Sequence, residues 1–147
     1  MTYARRRKPQ AADPIANLFS QLGAALAGIW RVLGKSGTRL DRNKLLAQFG
    51  AIERLLAGGD GVHAAQAVMQ ADSFLDAIMR EVGGQGASFA DRLRSLDSRF
   101  SRDAYQSVWD AHKLRNQIAH EHPAVTVGQA RAALASFRRA ASQLGAF

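Results

Sequence analysis

The chain of 147 residues contains no cysteine. This absence excludes disulfide bridges, thiolate metal sites and a cysteine nucleophile, and it fits a reducing compartment. The sequence also lacks any run of alternating polar and apolar residues long enough to predict a strand. Its apolar fraction of 47% and charged fraction of 22% are those of a globular protein. Together these features predict one small all-α domain with a modest core and a short appendage.

Acidic residues are scarce at the beginning of the chain. Residues 1–40 hold seven basic side chains and one acidic side chain, a net charge of +6. Residues 41–147 hold 13 basic and 11 acidic side chains, a net charge of +2. The basic excess therefore belongs to the N-terminal part, and the near balance of the remainder weakens the interpretation that it is a broad electrostatic trap for polyanions.

The N-terminal part divides into a basic tail (1–14), a hydrophobic or amphipathic helix (15–33) and a linker (34–40). No charged residue occurs between Pro14 and Trp30, and apolar residues recur there at spacings of three and four. Three interpretations stay open for this helix: it spans a membrane, it lies in the membrane interface, or it packs on protein. The localisation predicted from them is the cytoplasm or the cytoplasmic face of the inner membrane.

Residues 41–147 are predicted to form a bundle of four to five helices. Each predicted helix begins at a side chain that can accept a hydrogen bond from a free backbone amide. The predicted starts are Asp41, Asp60, Ser88, Ser101 and Thr126, and a capping role is predicted for Asp60, Ser88 and Thr126. The glycines at 58–59 and 83–86 and the proline at 123 end helices or forbid their extension.

The helix that begins at Ser101 has two distinct faces. At about 100° per residue, one face is apolar and is predicted to be its core stripe. That stripe consists of Ala104, Val108, Ala111, Leu114 and Ile118. A polar ridge of His112, Asn116 and His120 runs beside it, with Arg115 at the boundary between the two.

An arginine at the edge of a core is costly unless acceptors meet its donors. One interpretation is that Arg115 forms a structural ion pair with Asp72 or Asp76 of a neighbouring helix. His120 would then be a residue favoured near a helix C-terminus by the helix dipole.

The other interpretation is catalytic and needs no metal or cofactor. A histidine can take a proton from a ribose 2′-hydroxyl or give one to a leaving oxygen. Arg115 can hold the phosphate, and Asn116 can orient either group. A second acid or base would come from His112, His122 or a second chain. A zinc site on these histidines is not expected, because His112 and His120 lie about 12 Å apart along the helix axis.

Three segments carry a resemblance to a known family. They are residues 71–76, residues 84–93 and residues 109–121, the last containing the run Arg115-Asn116-Gln117-Ile118-Ala119-His120. This run resembles the Arg-x4–6-His motif of the HEPN superfamily. In this order, the segments are similar to small proteins of candidate-phyla bacteria in which a HEPN-like domain follows an N-terminal membrane segment. The resemblance covers residues 41–147.

The resemblance implies a homodimer in which the Arg and His motifs of two chains face one cleft. It implies that Arg115 and His120 cut RNA, with Asn116 as the polar neighbour of the arginine. We predict supporting roles for His112, Lys113, Asp72 and Asp76. The superfamily also contains inactive members that bind nucleotides or partners, so a non-catalytic protein-interaction module is the alternative function, with an unknown partner.

Overall fold

The computed structural model describes residues 40–147. This part of the chain is helical and contains no strand, which confirms the all-α prediction. Its five helices are α1 (Arg42–Leu55), α2 (Gly61–Glu81), α3 (Phe89–Ser95), α4 (Arg102–Glu121) and α5 (Val127–Gln143). The predicted basic tail, the hydrophobic helix and the linker up to residue 39 lie outside the described residues. None of the described helices has both the length and the apolar character that a membrane crossing requires.

The residues at all five predicted helix starts are N-caps in the structure. In each case the cap side chain accepts a hydrogen bond from the amide three residues later. The caps of α3 and α5 are reciprocal capping boxes. In the first of these Asp91 replaces the usual Glu or Gln, and its carboxylate accepts from the Ser88 amide at 3.2 Å. Local side-chain chemistry therefore explains where every described helix starts.

Helix α2 is the centre of the bundle, since it contacts each of the other four helices. It buries residues around much of its circumference, as expected for a helix surrounded by others. An aromatic cluster closes one end of the core: the rings of Phe49 and Phe74 lie 5.3 Å apart. Phe147 packs on both, at 5.8 Å and 6.0 Å. The central position of α2 buries Asp72 and partly buries Asp76, and side chains of neighbouring helices meet both carboxylates.

Helix α4 packs against α2 and α5. Four members of its predicted core stripe are buried, and the fifth, Leu114, is partly buried against the core. The stripe prediction is therefore confirmed. It places the polar ridge of α4 at the margin of the α2–α4 contact, where the candidate site lies.

Candidate functional site

A buried carboxylate on α2 forms the centre of the site. Asp72 is only 4% exposed. Its Oδ1 lies 2.6 Å from Nδ1 of His112, and its Oδ2 lies 3.5 Å from Nε of Arg115. When the Asp72 carboxyl is ionised it can only accept hydrogen bonds, and Nδ1 of His112 is then the donor. One carboxylate thus holds two side chains that are three residues apart on α4.

Opposing effects act on the ionisation of this carboxylate. Burial raises the pKa of the Asp72 carboxyl above the ordinary value of 3.8, because the charged form loses its solvation. The hydrogen bond from His112 and the positive charges of His112 and Arg115 act in the opposite direction. The negative charge of nearby Asp76 raises the pKa further. The ionised form of the Asp72 carboxyl is consequently stabilised by His112 and Arg115.

The imidazole of His112 is held on several sides. It stacks on the ring of Phe89 from α3, with centroids 4.0 Å apart and planes 3° from parallel. The Trp109 ring meets it edge-on at 6.4 Å. With the Asp72 hydrogen bond, these contacts restrict both the rotation and the tilt of the ring. The His112 side chain nevertheless stays 14% exposed.

Arg115 is less completely engaged. Its Nη1 donates to Oδ1 of Asn116 at 3.1 Å. Its Nε is buried and close enough to Asp72 for an ion pair, yet it lacks a partner with hydrogen-bond geometry. The side chain is 30% exposed. The guanidinium is thus oriented by Asn116 and Asp72 while part of it faces solvent.

The two residues of the predicted motif are not brought together within the chain. His120 is exposed in the last turn of α4. It follows Arg115 by five positions, which corresponds to about 140° around the helix and about 7.5 Å along its axis. Lys113 is also exposed. The described residues therefore assemble Arg115 with Asn116, His112 and Asp72, and leave His120 and Lys113 on the surface.

Asp76 belongs to a second ion-pair network. Arg92 donates to it through Nε at 2.8 Å and Nη2 at 3.0 Å, a bidentate pair. Arg92 also donates to the carbonyl of Gly86 at 2.7 Å, and Arg80 donates to Asp76 at 2.6 Å. Our sequence interpretation missed Arg92. The signal was its spacing from Phe89 and Leu96, which places it on the core-facing side of the short helix α3.

Two surface cavities lie away from this network. The first, about 490 Å³, is lined by Glu53, Leu56, Ala57, Arg131, Leu134, Ala135 and Arg138. The second, about 390 Å³, is lined by Ser107, Asp110, Ala111, Leu114, Gln129, Ala132, Ala133 and Ser136. Asp72, His112 and Arg115 line neither of them. The chemistry-bearing side chains and these concave surfaces are thus separate features.

The histidines of the described region do not gather around a common point. Across residues 40–147 there is no group of three or more His, Cys, Asp or Glu side chains arranged to hold a metal ion. His63, near the start of α2, is exposed and its Nδ1 lies 2.6 Å from Oδ2 of its cap, Asp60. Because of this contact, we interpret His63 as part of the N-terminal cap of α2.

Comparison of the chain with protein families, with curated proteins and with solved structures gave no match.

Proposed function

We propose that this protein is a HEPN-like helical domain that binds RNA and cleaves it without a metal, using Arg115 and His120. The observation that supports this proposal is the orientation and partial exposure of the Arg115 side chain. Its guanidinium is oriented by Asp72 and Asn116 while its side chain stays 30% exposed. A guanidinium that is already oriented loses little freedom when it binds a phosphate, so it can stabilise the charge that develops during cleavage.

The proposed reaction transfers two protons. A base takes the proton of the ribose 2′-hydroxyl, and the 2′-oxygen attacks phosphorus. The bond from phosphorus to the 5′-oxygen breaks, and an acid protonates that oxygen. The products are a 2′,3′-cyclic phosphate and a free 5′-hydroxyl. His120 supplies one of the two proton-transferring groups.

A homodimer is part of this proposal. Within one chain Arg115 and His120 project about 140° apart around α4. A second copy of the helix, related by a two-fold axis, would bring the histidine of one chain towards the arginine of the other. The dimer would then complete each site.

We also propose that residues 15–33 attach the protein to the cytoplasmic face of the inner membrane. The support is the charge-free apolar stripe of this segment and the cations on both sides of it. Pelleting of the full chain with vesicles of anionic lipid tests the attachment. Resistance to carbonate indicates a span, release by salt indicates surface binding, and failure to pellet contradicts both.

The test of the enzymatic proposal is cleavage of single-stranded RNA by the purified full chain in the presence of a chelator. We expect His120→Ala to abolish cleavage and to leave the melting temperature unchanged, because His120 is exposed. The matched control is His63→Ala, an exposed histidine at another helix end. Cleavage by His120→Ala at the wild-type rate, or no cleavage by the wild type, would refute the proposal.

A second candidate function is a non-catalytic interaction module in which the cluster around Asp72 is structural. The burial of Asp72 favours it, since removing a partner of a buried charge leaves that charge uncompensated and destabilises the fold. In that case Arg115→Ala lowers the melting temperature by several degrees and the wild-type protein does not cleave RNA. Normal stability of Arg115→Ala would contradict this alternative.

A further inference from the structure

The nitrogens of His112 and Arg115 that do not face Asp72 are accessible to solvent. Within residues 40–147, the buried side-chain polar atoms that lack a hydrogen bond are Gln48 Oε1 and Arg115 Nε. Neither Nε2 of His112 nor Nη2 of Arg115 makes a hydrogen bond to a described residue, and neither is among those buried atoms. Both nitrogens therefore reach the surface, although the opposite edges of the two groups are held by a buried carboxylate.

We propose that Nε2 of His112 and Nη2 of Arg115 together form one phosphate-binding site, with Asp72 as its positioning residue. Side chains three residues apart are neighbours on a helix surface, so the two groups can reach one phosphate. The site takes the phosphate of a phosphodiester or of a free phosphate ion. Only the identification of the phosphodiester as RNA rests on the proposed function.

The contacts of His112 determine what its outer nitrogen can do. Because Nδ1 donates to Asp72, further proton uptake occurs at Nε2, and the protonated ring presents an N–H to an anion. In the neutral ring Nε2 carries a lone pair that can accept a proton from a hydroxyl group. The stacking of His112 on Phe89 holds the ring plane fixed in either state.

The charges around this position nearly cancel, so they do not repel an anion. On α2 the nearby charged groups are Asp72 and Asp76, and Asp76 is paired with Arg92 of α3. Arg94 of α3 lies over the Trp109 ring, 5.2 Å from its centroid, and forms an ion pair with Asp91 at 3.3 Å. With Arg115 on α4, the arginines and the carboxylates named here are equal in number, three of each.

This site differs from the predicted motif in the histidine that it uses. His112 shares a carboxylate with Arg115, whereas His120 lies about 140° away from that arginine around the same helix. The distinction can be measured directly. A phosphate bound at the proposed site must perturb His112, whereas a phosphate bound by the motif in a dimer must perturb His120.

The chain contains four histidines, so the ring Cε1–Hε1 signals in an NMR spectrum are few and can be assigned with single substitutions. We titrate the full chain with inorganic phosphate at about pH 6, where an ordinary imidazole is largely protonated. The expected result is a saturable shift of the His112 signal without a shift of the His63 signal. A shift of His120 alone, equal shifts of all four signals, or no shift would overturn the proposal.

Two substitutions measure the contribution of each group. His112→Gln keeps a side-chain N–H that can reach Asp72 but removes the outer ring nitrogen, and Arg115→Gln removes the guanidinium. Each should weaken phosphate binding about tenfold or more, because each removes a charge-assisted hydrogen bond. Unchanged affinity in either folded variant would contradict the site. The wild-type titration needs no variant of His112 or Arg115, because substitutions of the three exposed histidines assign the His112 signal by elimination. A variant of His112 or Arg115 that fails to fold therefore still leaves the proposal testable.

The same titration with single-stranded oligoribonucleotide and oligodeoxyribonucleotide identifies the carrier of the phosphate. Oligonucleotides that bind more tightly than free phosphate point to a nucleic acid, and equal affinity points to the free ion. If phosphate shifts His112 but the wild type does not cleave RNA, the proposed function fails and the site stands. If RNA is cleaved and His112 does not respond to phosphate, the site fails and the function stands.

Discussion

Replacement of Asp72 tests how much the buried carboxylate contributes to stability. Asp72→Asn keeps the size of the side chain and one acceptor oxygen, so His112 retains a neutral hydrogen bond in place of a charge-assisted one. That exchange costs about 1 kcal/mol. The 3.5 Å contact with the partly exposed Arg115 adds less than about 1 kcal/mol. Loss of the buried charge offsets part of this cost, because burial disfavours the ionised carboxyl.

The net expectation for Asp72→Asn is a destabilisation of about 1 kcal/mol, or roughly 4 °C in melting temperature for a domain of this size. Asp72→Ala removes the acceptor entirely and leaves the Nδ1 donor of His112 unsatisfied. This larger perturbation costs about 2 to 3 kcal/mol. The difference in unfolding free energy between the two variants therefore measures the contribution of the acceptor oxygen separately from that of the charge.

Urea denaturation of double-mutant cycles separates the two partners of Asp72. We expect a larger coupling free energy between Asp72 and His112 than between Asp72 and Arg115, because only the first pair has the distance and geometry of a hydrogen bond. The reasoning is refuted if Asp72→Ala is as stable as the wild type. It is also refuted if the Arg115 coupling exceeds the His112 coupling.

Three further predictions concern the segment that carries α3. Ser88→Ala should lose about 1 kcal/mol of stability through the missing cap, with the exposed Ser98→Ala as the unaffected control in the same urea assay. Gly86→Ala should cost more than Gly83→Ala. Both residues have positive φ, but only at Gly86 would a Cβ meet another atom, 2.2 Å from Cβ of Asp91. Equal costs would contradict this. Hydrogen bonds from Ser88 hold the pKa of the Asp91 carboxyl below 3.8, so their stabilisation is present above pH 3.8 and is lost as the pH falls through the lowered value. The stability advantage of the wild type over Asp91→Asn should therefore be constant above about pH 5 and shrink below 3.8, and a constant difference down to the acid limit would exclude it.

The helix boundaries were predictable because the forces that set them are local. Each N-cap side chain contacts an amide only three residues away, so the relevant atoms are neighbours in sequence. The sequence places His120 near the C-terminus of its helix, and α4 ends one residue later, at Glu121. His122 then takes a left-handed φ of 49°, and Pro123 prevents continuation. A difference of one residue at a helix end is smaller than local sequence signals can resolve.

The partner of Arg115 was not predictable to a single residue. Asp72 and Asp76 lie one turn apart on the same side of α2, so helical periodicity offers both to α4. The choice depends on the axial register between α2 and α4, which is set by the whole core. The stacking of His112 on Phe89 depends in addition on where α3 lies. A helix of seven residues has too little periodic pattern to predict its place in a bundle.

The position of α3 is explained by Arg92. This residue forms the kind of structural ion pair that one interpretation of the sequence predicts for Arg115. Its side chain is 7% exposed, and all three of its guanidinium nitrogens donate to Asp76 or to the Gly86 carbonyl. This fully bonded arginine ties α3 to α2 and thereby holds Phe89 against His112. It also occupies Asp76, which leaves Asp72 for the residues of α4.

The contrast between the two arginines is the strongest argument that Arg115 has a role beyond structure. A structural ion pair gains most when its donors are satisfied and its geometry is bidentate, and Arg92 meets both conditions. Arg115 has a buried Nε without a hydrogen bond and a side chain that is 30% exposed. Such an arrangement contributes little to stability, yet it keeps a cation oriented at the surface beside the outer nitrogen of His112. An anion bound there would satisfy donors that the fold itself leaves without acceptors.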